Sequence, residues 1–330
     1  MEFVEPKFEV IEQNPGLDGV LEIITKAGFT CYKTEREITK ESSEKFVQRM
    51  INSKHGAMLE HGTVYLAFPW NTTDHLAEVK AIKYKNNHFS KVNFVSDEQN
   101  HIMGYVTTNY RVLVENNWLE DLKYQCEPTP YHERRVSLRL WMDRVGTQSC
   151  ERHRGQNGAS FAQESTRYCN YANEKKFNTG IKISVPHWTN KTELDNAMEA
   201  EEDFGFTNLK LIHESYFRYL LDNKIVKKQG EDYKPLMYWL AANSFCDFCY
   251  CKLIDCGFPA EDARAVLPLD INSEFVMTMF VSDWIHFINL RSDIAETGRP
   301  HPDIQKFGDG IKAEFLKRGY IKESDLFKKQ

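Results

Sequence analysis

The irregular order of strand and helix patterns constrains the fold of this 330-residue chain more than any other feature. Strands are predicted at Thr63–Phe68 and 136–142 from alternating residue patterns, and at the short run 181–185. Helices are predicted at about 42–51, 110–124, 193–202, 208–222, 235–256 and 277–291. Because the two kinds of element do not alternate one by one, the sequence predicts an α+β fold, a mixed sheet with packed helices, over a doubly wound parallel sheet.

Two of these helices carry specific expectations. The first is predicted to be capped by Ser42 or Ser43 and to carry an apolar face of Phe46, Val47, Met50 and Ile51. The helix at 277–291 is predicted to be largely buried and to end at Arg291. A guanidinium at the end of an apolar helix is expensive to bury without an anion nearby.

Composition limits the class of protein. The chain is 41% hydrophobic and 13% aromatic, enough for a substantial core in one large domain or two ordinary ones. We expect one catalytic domain over 1–330, decorated by a polar insertion at about 69–131. No run of eighteen apolar residues occurs, and the first residues are acidic, so we expect a cytoplasmic protein without a membrane span or secretory signal. The net charge of −6 argues against a general nucleic-acid coat.

Four of the eight cysteines lie close together, at Cys246, Cys249, Cys251 and Cys256. Zinc is one interpretation, but no second CxxC or HxxxH segment supplies the paired ligands that such a site uses. We therefore predict reduced, structural thiols on one helix that ends at Cys256, with Gly257 as its stop signal, and no metal site.

A basic cluster at residues 151–168 stands out against the acidic background. Arg152, Arg154 and Arg167 offer forked donors to a phosphate, and neighbouring hydroxyls and loop amides can bind its remaining oxygens. The expected ligand is a nucleotide or a phosphorylated cofactor. The strand predicted at 136–142 is expected to lead straight into this loop. The alternative is a solvated basic loop. No G-x-G-x-x-G or Walker segment is present, so the architectures built on those motifs have no support.

Four short motifs in the same order resemble those of the flavin-dependent thymidylate synthases. They are Arg152-His153-Arg154 followed by Ser165-x-Arg167-Tyr168, His55 with Glu60-His61, the segment 263–268, and Asn289-Leu290-Arg291. The resemblance runs from about residue 31 to about 305. It implies reductive methylation of dUMP to dTMP with FAD, NADPH and 5,10-methylenetetrahydrofolate. It also implies a homotetramer whose subunits share active sites at their interfaces.

The resemblance implies a role for each matching residue. Arg291 takes the catalytic position, that of the arginine thought to promote ionisation at nitrogen 3 of uracil. Substrate binding is assigned to Arg152, Gln163, Glu164, Ser165, Thr166, Arg167, Arg264 and Arg291. Contacts with the flavin cofactor are assigned to His55, Glu60, Arg152, His153, Arg154, His286, Leu290 and His301. His61 is equally well interpreted as a structural histidine.

Several departures from the family pattern keep other functions open. The loop between Arg154 and Ser165 is three residues longer than usual, Ala57 stands where a hydroxyl residue is frequent, and Phe280 and Ser282 replace an Asn and Arg pair. One alternative is a related pyrimidine-modifying enzyme, for instance a hydroxymethylating one. The other is a non-enzymatic nucleotide or nucleic-acid binder.

Overall fold

The computed structural model describes residues 1–34, 36–69, 76–96, 98, 101–155, 158–173, 180–196 and 234–327. Its helices span Gly16–Tyr32, Lys40–Asn52, Gly56–Leu59, Leu76–Ile82, Tyr110–Glu115, Arg144–Glu151, Lys234–Asp255, Ala260–Ala263, Val281–Arg291 and Pro302–Lys317. Its strands are β1 (Glu2–Val4), β2 (Lys7–Ile11), β3 (Thr63–Phe68), β4 (Lys91–Ser96), β5 (Ile102–Asn109), β6 (Arg135–Asp143), β7 (Ser160–Gln163), β8 (Lys182–Ser184) and β9 (Asn272–Phe280). This mixture, without regular alternation, confirms the α+β class. Residues 191–196 are helical, whereas the rest of the helix predicted at 193–202 and all of that at 208–222 lie outside the described residues.

The described strands form three sheets. β2, β6, β9 and β7 form a four-stranded sheet in that order, in which β7 pairs antiparallel with β9. β3, β5 and β4 form an antiparallel sheet, and β1 pairs parallel with β8. All nine residues of β9 are buried.

The chain forms two compact units. The first contains 1–7, 141–147 and 165–273, and the second contains 8–140, 148–164 and 274–330. The single catalytic domain therefore stays a prediction.

The first unit has its own core beside the helix Lys234–Asp255. Phe3, Ile183, Leu240 and Tyr250 are buried together there. The helix ends one residue before the Cys256 that the sequence predicts, and Gly257 follows with a φ of +90°, a conformation that favours glycine. Three of the four clustered cysteines lie along this helix, which confirms the predicted element.

The second unit packs two helices against the β3–β5–β4 sheet. Helix Gly16–Tyr32 crosses Lys40–Asn52 so closely that a Cβ on Gly28 would lie 2.1 Å from Phe46 Cζ. The N-cap predicted for helix Lys40–Asn52, Ser42 or Ser43, lies about one turn too far along the chain. Thr39 is the N-cap and Ser42 occupies N3, where the two hydroxyls and backbone amides bond reciprocally.

The segment predicted to decorate the fold contributes to this unit's core. Tyr84 and Val106 are fully buried in the same hydrophobic cluster as Leu66. The Tyr84 hydroxyl donates to the buried Asp121 carboxylate at 2.7 Å, and Lys83 pairs with that carboxylate at 2.6 Å. Its status as an insertion relative to the family stays a prediction.

Two predicted helices take other forms. The helix expected at 110–124 is Tyr110–Glu115 followed by a 3-10 helix at Leu119–Tyr124, because Asn117 between them has a φ of +58°. The element expected at 277–291 is two elements, strand β9 and helix Val281–Arg291, with Phe280 extended between them at φ −63° and ψ 152°. Among the described helices, none is both long enough and apolar enough to cross a bilayer.

Candidate functional site

An arginine–histidine pair joins two of the predicted motifs in the second unit. Arg291, the last residue of helix Val281–Arg291, donates from Nε to Nε2 of His153 at 3.1 Å. The His153 ring packs edge-on against Phe287, 4.9 Å between centroids, and lies 6.0 Å from the ring of His286. The structure thus brings together three residues that the resemblance assigns to one site, although His153 and Arg291 are 138 positions apart.

The charge of this pair resides on Arg291. Because His153 Nε2 accepts the hydrogen bond, the ring is neutral with its proton on Nδ1. Burial and, to a lesser extent, the nearby charge of Arg291 lower the pKa of His153 to about 4. Within the described residues no carboxylate forms an ion pair with Arg291. The pair therefore presents a half-buried, uncompensated cation, which favours an anionic ligand.

Packing against neighbouring elements fixes the C-terminal end of helix Val281–Arg291. Trp284 is fully buried, and its indole N–H donates to the Val136 carbonyl at 3.0 Å. A Cβ on Gly308 would lie 2.1 Å from the Arg291 carbonyl oxygen, so helix Pro302–Lys317 approaches Arg291 more closely than any other residue type at 308 would permit. The guanidinium is consequently attached to a rigid element.

Arg152 begins a 3-10 segment, Arg152–Gly155, and is exposed. The expectation that β6 leads straight into the basic loop is wrong, because the eight-residue helix Arg144–Glu151 intervenes. Arg152 and His153 are thus placed by the C-terminal end of a helix, and the side chain of Arg154 lies outside the described residues.

The predicted substrate segment starts from a buried ion pair. Gln163 ends β7, and Glu164 after it is 1% exposed, with Lys33 Nζ 3.1 Å from both of its carboxylate oxygens. Glu164 also exchanges two hydrogen bonds with Glu274: its N–H donates to the Glu274 carbonyl at 2.8 Å, and its carboxylate accepts from the Glu274 N–H at 3.3 Å. Sequence reasoning missed Lys33. Lys33 is the left-handed C-cap of helix Gly16–Tyr32, at φ 47°. This role is recognised only once the fold is known.

The remaining substrate residues belong to the first unit. The Ser165 carbonyl accepts from the N–H groups of Tyr168 and Cys169, which makes a tight turn around Thr166. Arg167 is exposed, with its guanidinium 5.2 Å from the centroid of the Tyr168 ring. Arg264 is also exposed and donates from Nε to the Glu261 carbonyl at 3.0 Å. Their substrate roles stay predictions, as does that of Glu164.

The other residues predicted around the flavin differ in exposure and in hydrogen-bond partners. His55 is exposed just before helix Gly56–Leu59, and Glu60 is buried, accepting from Arg111 at 2.5 Å. Leu290 is half-buried next to Arg291. His301 caps helix Pro302–Lys317, its Nδ1 accepting from the Asp303 N–H at 3.4 Å.

His61 is a structural histidine. It is fully buried, with Nδ1 2.8 Å from the Thr278 hydroxyl, which lies 2.7 Å from the Ser137 hydroxyl. Burial and, to a lesser extent, the neighbouring charge of Arg135 lower the pKa of His61 to about 3. The ring is therefore neutral and joins the segment before β3 to strands β6 and β9.

Comparison with known proteins decides the family. A family model described as "Thymidylate synthase complementing protein" matches residues 107–318. The chain belongs to the thymidylate synthase complementing protein family. This membership confirms the resemblance to the family. Three of the four motifs lie in the matched range, whereas the motif at His55 and Glu60-His61 lies before it and stays a prediction.

Comparison with individual proteins gives a short match in sequence and a similarity in fold. A flavin-dependent thymidylate synthase from Geobacter sulfurreducens is 43% identical over 51 residues, which is 16% of this chain and only 22% of that relative. The structure is also similar to crystal structures of the UMP/dUMP methylase PolB from Streptomyces cacaoi. The complex with 5-Br dUMP is 15% identical, covers 96% of this chain and 93% of its own, and has a TM-score of 0.41. The complex with 5-Br UMP is 13% identical, covers 96% of this chain and 91% of its own, and has a TM-score of 0.39.

Proposed function

We propose that this protein is a flavin-dependent thymidylate synthase that methylates dUMP to dTMP, with 5,10-methylenetetrahydrofolate as carbon donor and NADPH as reductant. Family membership supports the reaction class. The observation that carries the proposal is the Arg291–His153 pair, a cation on a rigid helix end with no carboxylate partner in the described residues.

In this proposal Arg291 is the catalytic residue. Its guanidinium stabilises the negative charge that develops when uracil loses the proton on nitrogen 3, and it stays cationic when partly desolvated, as a lysine would not. His153 is neutral and accepts from Nε, so it orients the guanidinium without adding charge. The remaining Arg291 donors then face the substrate.

The residues around this pair suit FAD. The half-buried ring of His153 and the exposed ring of His286, 6.0 Å apart between centroids, offer flat surfaces, and exposed Arg152 supplies charge for a pyrophosphate. When bound there, FAD supplies the reducing equivalents for the new methyl group. Ser165, Thr166 and Arg167 bind the substrate monophosphate, and Arg264 reaches it from a neighbouring subunit of a homotetramer. The proposed location is the cytoplasm.

Product analysis tests the reaction. The purified protein is incubated with FAD, dUMP, NADPH and 5,10-methylenetetrahydrofolate, and the nucleotide product is identified by mass. The proposal predicts dTMP, heavier than dUMP by one CH₂ unit, and no product without the folate. A product heavier by CH₂O would establish the hydroxymethylating alternative instead. Steeply salt-dependent oligonucleotide binding without any nucleotide product would establish the non-enzymatic one.

The tetramer is tested separately. Light scattering of the purified protein is expected to give four times the mass of one 38.6 kDa chain. In a mixture of inactive Arg264→Ala and inactive Arg291→Ala proteins, shared sites predict that activity returns as subunits exchange. A monomer, or no recovery in a mixture shown to have exchanged, would contradict shared sites.

A further inference from the structure

Strand β4 lies at the edge of the sheet formed by β3, β5 and β4. It pairs antiparallel with β5 over all six residues from Lys91 to Ser96. Within the part of the chain that the structure describes, no backbone hydrogen bond reaches the opposite edge of β4. The sheet belongs to the second unit, and β4 precedes the matched family range, so the proposed reaction does not account for this edge.

The features that usually protect an edge strand are scarce in β4. The pairing with β5 runs from Lys91 to Ser96 without a bulge. The strand contains no proline, and its one charged residue is Lys91, at the first position. Soluble proteins block edge strands with charges, proline or bulges, because an open edge pairs readily with another strand. The uncharged edge from Val92 to Ser96 is therefore suited to pairing.

The side chains of β4 hold the strand in place but leave its outer edge open. Val92 packs against the hydrophobic cluster of the second unit. Asn93 donates from Nδ2 to the Tyr131 carbonyl at 3.1 Å, and this side-chain bond does not use the backbone groups of the strand. Phe94, in the middle of β4, is 38% exposed. A strand added at this edge would cover part of that ring.

The residue order of β4 fits antiparallel pairing with a second copy of the same strand. A two-fold axis perpendicular to the sheet at Phe94 makes Phe94 its own partner and places Val92 of each copy opposite Ser96 of the other. The two half-exposed phenylalanine rings then lie side by side on one face of the joined sheet. An isologous contact of this kind needs no other partner.

The charges at the two ends of β4 are complementary in this register. Lys91 begins the strand, and the exposed Glu98 lies two residues after its end. The Lys91 ammonium lies 5.5 Å from the centroid of the Phe280 ring, a contact that does not neutralise its charge. Antiparallel copies bring Lys91 of each beside the acidic end of the other, so the sequence favours a second copy over an unrelated peptide.

We propose that β4 is an interaction surface for a second copy of this chain, which pairs antiparallel with it about a two-fold axis at Phe94. The contact joins two three-stranded sheets into one sheet of six strands. Backbone hydrogen bonds supply the affinity, whereas the Phe94 rings and the two contacts between Lys91 and Glu98 fix the register. The contact is independent of the proposed reaction.

Disulfide cross-linking tests the pairing. In Phe94→Cys the introduced thiols lie opposite each other, where Cβ atoms are about 4.5–5.5 Å apart, close to the spacing of a disulfide. Oxidation with copper–phenanthroline is expected to give a covalent dimer, and mass spectrometry of its peptides is expected to show position 94 of one copy linked to position 94 of the other. Val79→Cys, 62% exposed on helix Leu76–Ile82, is the matched control and is expected to give at least tenfold less dimer. Equal yields, or no linked peptide at position 94, would overturn the proposal.

Charge reversal tests the register in the same assay. Adding Lys91→Glu to Phe94→Cys places like charges at both ends of the contact and is expected to slow cross-linking tenfold or more. Adding Glu98→Lys as well restores opposite charges and is expected to restore the rate. An unchanged rate with Lys91→Glu, or no recovery in a folded triple variant, would contradict the assigned register.

A second pair of positions keeps the test valid if a circular dichroism melt shows that Phe94→Cys does not fold. A mixture of Val92→Cys and Ser96→Cys proteins is expected to form a mixed disulfide dimer, because these positions lie opposite each other. Either protein alone is expected to form at least tenfold less dimer through the introduced thiol. A mixed dimer no more abundant than the dimers of each protein alone would overturn the proposal.

Discussion

The buried ion pair between Lys33 and Glu164 leads to a prediction about the free energy of unfolding. Replacing Lys33 with Met leaves the Glu164 carboxylate without this cation. That carboxylate is 1% exposed and lies 3.1 Å from Lys33 Nζ. Breaking a buried pair by removing one partner costs about 3–5 kcal/mol. We expect about 3 kcal/mol, since the Lys33 side chain is 19% exposed and the Glu274 N–H still donates to Glu164 at 3.3 Å.

Urea unfolding followed by tryptophan fluorescence measures this loss. The control is Lys26→Met on the same helix, where Lys26 pairs with Glu22 at 2.7 Å and both side chains are about one-third exposed. Exposed pairs contribute less than about 1 kcal/mol, so the control is expected to unfold close to the parent. Equal losses in the two variants would refute the conclusion that Glu164 depends on Lys33.

Two further predictions concern packing and pH. Gly28→Ala places a Cβ against the Phe46 ring and is expected to cost about 1–3 kcal/mol in urea unfolding; an unchanged midpoint would contradict the close crossing. His61 stays neutral in the folded chain down to about pH 3, whereas in the unfolded chain it takes up a proton below about pH 6.5, so stability falls as pH falls through that window. From about pH 7 to pH 5, His61→Gln is expected to lose about 2 kcal/mol less stability than the parent, and parallel losses would show that His61 is not buried and neutral.

Much of the fold was predictable where local signals agree. The bounds of β3 were predicted to the residue, and those of β6 and helix Lys234–Asp255 to within one residue, because apolar periodicity and a stop signal coincide. The helix predicted at 277–291 ends at Arg291 as expected, but its start was wrong by four residues because the fully buried strand β9 runs to Phe280. A continuous apolar run does not distinguish a buried strand from a buried helix.

The site was predictable only through resemblance. The motifs indicated Arg291 and His153, and the resemblance assigned His286 to the same site, but no local pattern predicts a hydrogen bond across 138 positions. Lys33 was missed because its importance comes from burial, and burial is decided by tertiary packing. A lysine at a helix end is ordinary as sequence.

The role proposed for Arg291 is tested by the visible absorption spectrum of the FAD-loaded protein during titration with dUMP. Saturating dUMP is expected to perturb the flavin bands of the parent, because the pyrimidine of the proposed complex lies against the ring. Arg291→Gln is expected to retain FAD but to lose both the perturbation and dTMP formation. An Arg291→Gln protein that binds FAD, shows the same dUMP-dependent change and forms dTMP at the parent's rate would rule out this role for Arg291.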